Sequence, residues 1–467
     1  IFEELVAHQV SLLSRRAYIQ QIEAPRISAS RQFAKQLLSS LPFEMTNAQK
    51  RVSKEIVQDL KLNKPMLRLV QGDVGAGKTL VAGVAACHAL EEGWQVALMA
   101  PTEILAEQHY LNFKKWFEPL GLSVSWLSGK QKGKARAAAE QAIVDGTAHL
   151  VVGTHALFQD NVRFAKLGLV IIDEQHRFGV DQRLALRNKG AQNMTPHQLV
   201  MTATPIPRTL AMSAYGDLDT SVIDELPPGR TPIQTVTIPL DRREEVLQRI
   251  ASNCLEGKQA YWVCTLVEES ETLDAQAAEA TYLEIKERFP ELNIGLVHGK
   301  MKADEKQAVM QQFKANELQL LIATTVIEVG VDVPNASIMV IENAERLGLS
   351  QLHQLRGRVG RGAKASFCAL LYKSPLSQNG QERLRIMRET NDGFLIAEKD
   401  LEIRGPGELL GTKQTGDMGF RVAKLERDDH LLNQAHFVAA QILKDYPRNA
   451  EALLKRWLPE APRYAYV

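Results

Sequence analysis

The stretch MLRLVQGDVGAGKT, residues 66–79, decides the fold class of this chain. Its first half is an apolar run typical of a buried strand, and its second half, residues 72–79, matches the pattern GxxxxGK(S/T). The run VAGVAACHALEEG, residues 81–93, then predicts a helix that ends at Gly93. A strand that passes through a glycine loop into a helix is the arrangement in which backbone N–H groups and a helix N-terminus surround phosphate.

The residues of this P-loop predict how a nucleotide would be held. Gly72, Gly75 and Gly77 allow the backbone N–H groups to turn toward phosphate oxygens. We expect Lys78 to reach the β- and γ-phosphates of ATP, and the Thr79 hydroxyl to ligate Mg²⁺. A glycine-rich turn without a ligand is the alternative, and the flanking strand and helix argue against it.

A second apolar strand delivers two adjacent carboxylates. LGLVIIDEQH, residues 167–176, contains Asp173 and Glu174 directly after its apolar run. We expect Asp173 to hold Mg²⁺ through water, and Glu174 to orient or deprotonate the attacking water. Two neighbouring acids are often only a solvated strand end, but the P-loop upstream favours the catalytic interpretation.

Strand-like and helix-like runs alternate along most of the chain, which indicates parallel sheets covered on both faces. The prolines and glycine of IDELPPGRTPIQ, residues 223–234, predict a linker. We also expect residues 1 to about 40 to be helical. The predicted α/β chain has four parts: a helical N-terminal connector at 1–44, two α/β domains at 45–228 and 229–375, and a helical, loop-rich region at 376–467.

The second domain offers a pair of arginines for the terminal phosphate. In QLRGRVGRG, residues 354–362, Arg358 and Arg361 are three residues apart, which predicts one helical face. Hydrolysis needs positive charge on the γ-phosphate, and a planar guanidinium can hold two of its oxygens. Alone, this stretch would more often be a basic surface. With a P-loop in the other domain it predicts arginine fingers that grip the same ATP.

Composition sets wide limits on the class of protein. The 467 residues are 45% hydrophobic and 24% charged with a net charge of +1, which is ordinary for a globular protein and decides nothing about nucleic acid. No apolar run approaches the roughly 20 residues of a membrane helix. We therefore expect a cytoplasmic protein without membrane association, and the initial Ile1 suggests a fragment. The cysteines lack metal-site spacing and predict a reducing compartment: Cys87, Cys254, Cys264 and Cys368.

The motifs occur in an order that resembles the superfamily-two helicases, and the resemblance covers essentially the whole chain. It implies two tandem RecA-like domains with parallel sheets, and an ATP-dependent DNA helicase or translocase. It also implies that Phe43 stacks on adenine and that Gln49 hydrogen-bonds the edge of the base. The matching stretches are residues 41–49, 72–79, 101–109, 151–159, 173–176, 202–209, 259–270, 297–306, 324–336 and 351–362.

Threonines in these motifs are the candidates for contact with nucleic acid. The groups around Thr102, Thr154 and Thr324 are expected to meet phosphates, which positions a strand without reading its sequence. Thr202 and Thr204, in the stretch TATP, are expected to pass the state of the nucleotide to bound DNA. A helix cap is the alternative for these two.

The tail, residues 383–416, resembles the helical hairpin and loop of bacterial translocases that act on branched DNA. The resemblance implies that Arg383, Arg404 and Gln414 link ATP turnover to movement along duplex DNA. A helical pack with a glycine-rich turn is the alternative. The expected partners are duplex DNA, forks and four-way junctions, with replication or repair proteins besides. We expect a monomeric motor portion without an N-terminal wedge domain.

Three other functions remain open at this point. The motor of a transcription-repair coupling translocase has the same hairpin and the same duplex track. An RNA helicase differs in the nucleic acid that stimulates ATP hydrolysis. A non-motor ATP switch would use its nucleotide only to bind a protein partner.

Overall fold

The computed structural model places most of the chain in two compact units, each with its own parallel sheet. The first unit comprises the described parts of Ile1–Gly72, Ala76–Glu225 and Arg404–Val467, and the second those of Asp73–Gly75 and Leu226–Ile403. The described residues are 1–28, 31–129, 131, 133–159, 161–173, 189–190, 194–206, 218–227, 230–265, 271–328, 333–362, 365–404 and 420–458.

The first unit alternates helices and strands as the sequence predicts. Its helices, up to the end of the P-loop domain, are α1 (Phe2–Ile19), α2 (Gln32–Ser40), α3 (Asn47–Leu60), α4 (Lys78–Glu91), α5 (Glu103–Phe117) and α6 (Gly133–Val144). Its strands are β1 (Leu67–Gly72), β2 (Gln95–Met99), β3 (Val124–Leu127), β4 (Leu150–Gly153), β5 (Leu167–Asp173), β6 (His197–Thr202) and β7 (Asp219–Ile223).

The described strands of the first unit form one parallel sheet in the order β3-β4-β2-β5-β6-β1-β7. Strand β6 lies between β1 and β5, with Gln71 opposite Thr202 and Asp173 opposite Met201. Helices α2 to α5 cover one face of the sheet and α6 covers the other. Because the carboxyl ends of parallel strands share an edge, the P-loop after β1 and the end of β5 lie at the same edge.

The second unit repeats the architecture with a smaller sheet, whose described strands are parallel in the order β10-β11-β9-β12-β13-β8. Its strands are β8 (Gln234–Pro239), β9 (Gln259–Val263), β10 (Ile294–Val297), β11 (Leu320–Ala323), β12 (Ala336–Ile341) and β13 (Phe367–Tyr372). Its helices are α7 (Arg243–Leu255), α8 (Glu271–Arg288), α9 (Ala303–Lys314), α10 (Leu349–Arg356), α11 (Gln378–Glu389) and α12 (Gly393–Arg404). The predicted fold class is confirmed: two RecA-like α/β domains with a helical hairpin after the second.

The expectation that residues 1 to about 40 are helical throughout is wrong for residues 20–28, which have no helix. Pro25 lies in this break, and proline has no backbone N–H to donate within a helix. The segment is instead fastened to the first unit, because the backbone N–H of Ile27 donates to Leu60 O at 2.8 Å and Pro25 O accepts from His197 Nε2 at 2.6 Å.

The chain ends in helices that pack on α1. These are the short α13 (Leu425–Asp428), α14 (Leu432–Asp445) and α15 (Pro447–Trp457). Leu5, Val6 and Val10 of α1 form a buried cluster with Ala435 and Ala439 of α14. The N-terminal helix therefore belongs to the same small helical pack as the C-terminal ones.

One buried carboxylate fastens this pack together. Glu4 on α1 is 1% exposed, and its carboxylate accepts hydrogen bonds from the backbone N–H groups of Arg421, Val422 (3.0 Å) and Ala423 (2.7 Å). A buried backbone donor that loses its partner destabilises the fold, so Glu4 holds residues 421–423, ahead of α13, against α1.

None of the described helices is both long and apolar enough to cross a bilayer. All of the cysteines are buried as free thiols, and burial raises the pKa of each thiol to about 12. They are therefore protonated at neutral pH, as expected of core residues without a catalytic role.

The Glu4→Gln variant is expected to loosen residues 420–424, because the neutral amide offers a weaker acceptor and adds N–H groups that face other donors. We expect the free energy of local opening to fall by about 1–3 kcal/mol. The measurement is amide hydrogen exchange, which should become faster in the peptide that covers these residues. Glu3→Gln is the control, since Glu3 pairs with Arg456 at the exposed surface. Equal exchange rates in the two variants would contradict the anchoring role of Glu4.

Candidate nucleotide-binding and coupling site

The P-loop has the backbone geometry that its glycines predict. Gly75 and Gly77 have φ values of +77° and +83°, in the left-handed region that favours glycine. A Cβ atom at Gly77 would lie 2.2 Å from Gln49 Nε2, so no larger residue fits there. Lys78 is 9% exposed, and its ammonium donates to Gly72 O at 2.7 Å. The loop thus forms a narrow cradle with one cation held over it.

Gln49 fastens helix α3 to this cradle. The Thr46 hydroxyl caps α3 by accepting from Gln49 N at 3.2 Å, and Gln49 Oε1 accepts in return from Thr46 N at 3.0 Å. The other end of the same side chain, Nε2, donates to Ala76 O in the loop at 2.8 Å. Phe43, just ahead of this cap, is 52% exposed, which leaves its ring open to a stacked base.

Asp173 ends strand β5 with its carboxylate 8% exposed. His109, on α5, lies behind it, and His109 Nε2 is 2.6 Å from Asp173 Oδ2. An ionised carboxylate only accepts, so the imidazole donates this bond and its orientation is fixed by the acid. His109 is a lone histidine at the end of the stretch PTEILAEQH, so no spacing signal predicts its role from the sequence. Glu174 lies outside the described residues.

The donors at this edge of the sheet suit a nucleotide with Mg²⁺. Across the described part of the chain, no group of three or more His, Cys, Asp or Glu side chains could hold a metal alone. Mg²⁺ commonly keeps several waters and takes one or two protein oxygens beside substrate phosphates. The half-buried Thr79 on the first turn of α4 and the carboxylate of Asp173 are such oxygens, and the left-handed loop supplies room for phosphates.

The stretch after β6 is tied to the strand that leads into the P-loop. Gln71, the residue before Gly72, is 2% exposed, and its Oε1 accepts from Ile206 N at 3.1 Å. The Thr202 hydroxyl accepts from Thr204 N and donates to Thr204 O, each at 3.2 Å. A displacement of the P-loop strand would therefore reach the TATP segment through the pairing of β1 with β6 and through the side chain of Gln71.

The structure gives the other predicted threonines local roles. The Thr102 hydroxyl caps α5 by accepting from Leu105 N at 3.3 Å. Thr154 is 2% exposed, and its hydroxyl donates to Glu103 at 3.3 Å, while Thr324 is 4% exposed. The buried side chains of Thr154 and Thr324 do not face solvent. A nucleic-acid phosphate near these positions would therefore contact neighbouring groups and not the two hydroxyls.

The prediction that Arg358 and Arg361 share a helical face is wrong. Helix α10 ends at Arg356, and both arginines lie in the turn that follows. The turn contains Gly357 and Gly360, and Gly360 has a φ of +78°, which a helix does not accommodate. Arg361 Nε donates back to Gly357 O at 3.1 Å. The two guanidiniums are therefore positioned by a glycine turn.

The third arginine of this stretch, Arg356, is structural. It is 1% exposed, and its Nη1 donates to Met387 O at 2.6 Å and to the Thr235 hydroxyl at 3.2 Å. Its Nη2 lies 3.1 Å from His353 Nδ1. Sequence spacing alone does not separate this buried arginine from its two half-buried neighbours.

The helical hairpin α11–α12 contains the first of the predicted coupling residues. Arg383 on α11 donates from Nη1 to Glu345 O at 3.0 Å and to Leu347 O at 3.2 Å, just ahead of α10. Arg404 ends α12, but its side chain lies outside the description. Gln414 also lies outside the described residues.

Family models match three successive parts of the chain. The DEAD/DEAH box helicase model matches residues 46–213, and the helicase conserved C-terminal domain matches residues 242–363. The model for domain 3, C-terminal, of the ATP-dependent DNA helicase RecG matches residues 390–457. The third match covers the hairpin helix α12 and the C-terminal helices.

Curated relatives match the chain from end to end. ATP-dependent DNA helicase RecG of Escherichia coli strain K12 is 63% identical over 467 residues, which are 100% of this chain and 67% of that protein. The RecG of Haemophilus influenzae is 60% identical over the same shares of both chains. A solved structure of RecG bound to a three-way DNA junction has a TM-score of 0.75 and 42% identity, over 92% of this chain and 56% of that one. By this identity along its whole length, the chain belongs to the RecG family of ATP-dependent DNA helicases.

Proposed function

We propose that this chain is an ATP-driven motor that moves along duplex DNA and remodels branched DNA such as forks and four-way junctions. The observation that carries the proposal is the shared sheet edge, where β1 leads to the P-loop cation Lys78 and β5 ends at the buried carboxylate Asp173, with β6 paired to both strands. The chain spans 67% of the length of its Escherichia coli relative. Branch remodelling is therefore a proposal for this chain and is not transferred from the longer protein.

The residues at this edge have separable tasks in the proposed reaction. ATP with Mg²⁺ supplies, when bound, the phosphoanhydride bond whose hydrolysis releases free energy. Lys78 neutralises charge on the outer phosphates, while Thr79 and Asp173 orient the oxygens around the metal. Glu174 is proposed to position the attacking water. Gln49 keeps the loop in its open cradle through its bond to Ala76 O.

Two arginines of the second unit are the proposed source of positive charge on the terminal phosphate. Arg358 and Arg361 remain predicted arginine fingers, and both lie in the glycine turn that follows α10. A bound nucleotide can stabilise one arrangement of the protein through contacts to its terminal phosphate. Loss of that phosphate removes those contacts, so the favoured arrangement changes. The bond between Gln71 and Ile206 N gives the change a route to the segment with Thr202 and Thr204.

Lys78→Ala is expected to lower ATP turnover by on the order of 100-fold or more, because the cation held over the loop is lost where negative charge develops. The measurement is steady-state phosphate release at saturating duplex DNA. Lys64→Ala, at an exposed position ahead of β1, is the matched control and should retain full turnover. Normal turnover in Lys78→Ala would remove the P-loop from the reaction.

His109→Ala is expected to weaken Mg²⁺ binding roughly 10-fold or more, because a partner that orients a metal-holding carboxylate is lost. The measurement is binding of a fluorescent, non-hydrolysable ATP analogue over a Mg²⁺ titration, which does not depend on turnover. His109→Gln keeps an N–H donor and should recover part of the affinity. His155→Ala changes an exposed histidine of the same unit and is the control. An unchanged Mg²⁺ requirement in His109→Ala would exclude the positioning role.

The nucleic acid that stimulates the motor decides between the proposed function and its rivals. We expect duplex and branched DNA to raise the ATPase rate more than single-stranded DNA, and RNA to have little effect. The measurement is the ATPase rate with each of these nucleic acids at equal nucleotide concentration. Stimulation by RNA alone would identify an RNA helicase, and no stimulation by any of them would favour the ATP switch.

A further inference from the structure

The chain leaves the first unit at a residue that is bonded to the start of helix α3. Strand β7 ends at Ile223, opposite Gly72 of the P-loop, and the first unit ends shortly after, at Glu225. The Glu225 carboxylate accepts through Oε2 from Ala48 N at 3.0 Å, on the first turn of α3. The last residue of the first unit is thus attached to the helix that contains Gln49.

This bond completes the cap of α3. The first N–H groups of a helix have no partner within it, and the Thr46 hydroxyl accepts from that of Gln49. Ala48 is 1% exposed, so its N–H needs an acceptor from the protein, and Glu225 supplies it. A negative charge at a helix N-terminus is also stabilised by the helix dipole. Loss of the Glu225 side chain would therefore loosen the first turn of α3 in particular.

The same turn is the part of the first unit that is proposed to contact the base of ATP. Phe43, just ahead of the cap, has an exposed ring, and Gln49 follows Ala48 directly. Gln49 is also bonded to the P-loop, through Ala76 O. A base that stacks on Phe43 and hydrogen-bonds Gln49 would therefore shift the turn that Glu225 holds.

The chain that follows Glu225 is stiff. Pro227 fixes its own φ angle, and a proline also restricts the backbone of the residue before it, which here is Leu226. A displacement of Glu225 is therefore passed along the chain, because few bonds in this stretch rotate freely. The second unit continues from Leu226, so this stretch is a covalent route out of the first unit.

We propose that Glu225 is a positioning residue that makes ATP turnover depend on the adenine base. It joins the first turn of α3 to the stiff stretch that leaves the first unit, so that a bound adenine favours the arrangement of the protein that hydrolyses ATP. A nucleotide with another base fills the P-loop but does not set this turn. This inference rests on the proposed function, because it assigns a residue to that ATP-driven motor.

The test compares ATP with UTP in the same protein, as the rate of phosphate release at saturating duplex DNA over a range of nucleotide concentrations. We expect the wild-type chain to have a higher kcat with ATP than with UTP. In Glu225→Ala, kcat with ATP should fall by roughly fivefold or more, within the range of coupling between sites, while kcat with UTP and KM for ATP stay near their wild-type values. Glu225→Gln keeps an oxygen acceptor for Ala48 N and should restore most of the preference for ATP.

The matched control is Asp224→Ala, which removes the same charge from the neighbouring position. Asp224 pairs with Arg51 of α3 at 2.9 Å, but these side chains are 61% and 50% exposed, and a surface ion pair of this kind contributes little. Arg51 also donates to Val222 O at 2.7 Å, and the variant leaves that bond in place. Asp224→Ala should therefore keep the wild-type ratio of kcat with ATP to kcat with UTP.

A second variant keeps the test decisive if thermal unfolding shows that Glu225→Ala is not folded. Glu225→Asp retains the charge but withdraws the carboxylate from Ala48 N by one methylene, so it should lose the preference for ATP as Glu225→Ala does.

The outcomes separate the two proposals. If no nucleic acid stimulates ATP hydrolysis by the wild-type chain, the motor is overturned and the role of Glu225 with it. Three results with a DNA-stimulated wild-type chain overturn only the role of Glu225: equal kcat with ATP and UTP, an unchanged ratio of the two kcat values in folded Glu225→Ala or Glu225→Asp, or an equal loss of the ratio in Asp224→Ala. A selective loss of kcat with ATP in the Glu225 variants supports it.

Discussion

The register between β1, β6 and β5 is the constraint on which the rest of the site depends. Parallel pairing brings the carboxyl ends of all three strands to one edge, with Gln71 opposite Thr202 and Asp173 opposite Met201. A slip of one residue would turn every side chain of the slipped strand to the other face of the sheet. The P-loop, Asp173 and the TATP segment after β6 are thus placed by backbone hydrogen bonds in the core, and their own side-chain bonds only refine the positions.

The same constraint explains which elements could be predicted from the sequence. Central strands such as Leu150–Gly153 and Leu167–Asp173 are buried on both faces, so their apolar runs are continuous and were recognised. Three strands have no such continuous apolar run and are not predicted from the sequence. They all lie at sheet edges and expose part of their length: Val124–Leu127, Asp219–Ile223 and Gln234–Pro239. Their composition is mixed, and Gln234–Pro239 begins inside the stretch that its prolines and glycine marked as a linker. An edge strand forms by pairing with one neighbouring strand, and a single sequence does not show that pairing.

The candidate site divides in a similar way. The residues proposed to contact a ligand belong to contiguous motifs, so Lys78, Thr79 and Asp173 could be named from spacing and chemistry. Residues that hold those motifs in place are far away in sequence: His109 reaches Asp173 across 64 positions and Asp400 reaches the start of α10 across about 50. The helical-face argument for the arginine pair failed for a local reason, because the helix ends at Arg356 and both arginines lie in the turn that contains Gly357 and Gly360.

Asp400 and Glu4 are both buried carboxylates that accept backbone N–H groups from residues distant in sequence. Asp400 lies ahead of residues 405–419 and binds within the second unit, whereas Glu4 binds residues 421–423 within the first unit. The second unit ends at Ile403 and the first unit resumes at Arg404. Hydrogen bonds to a charged acceptor are stronger than neutral ones, so the described chain on either side of residues 405–419 is anchored within its own unit. The resemblance puts Gln414 between these two anchors.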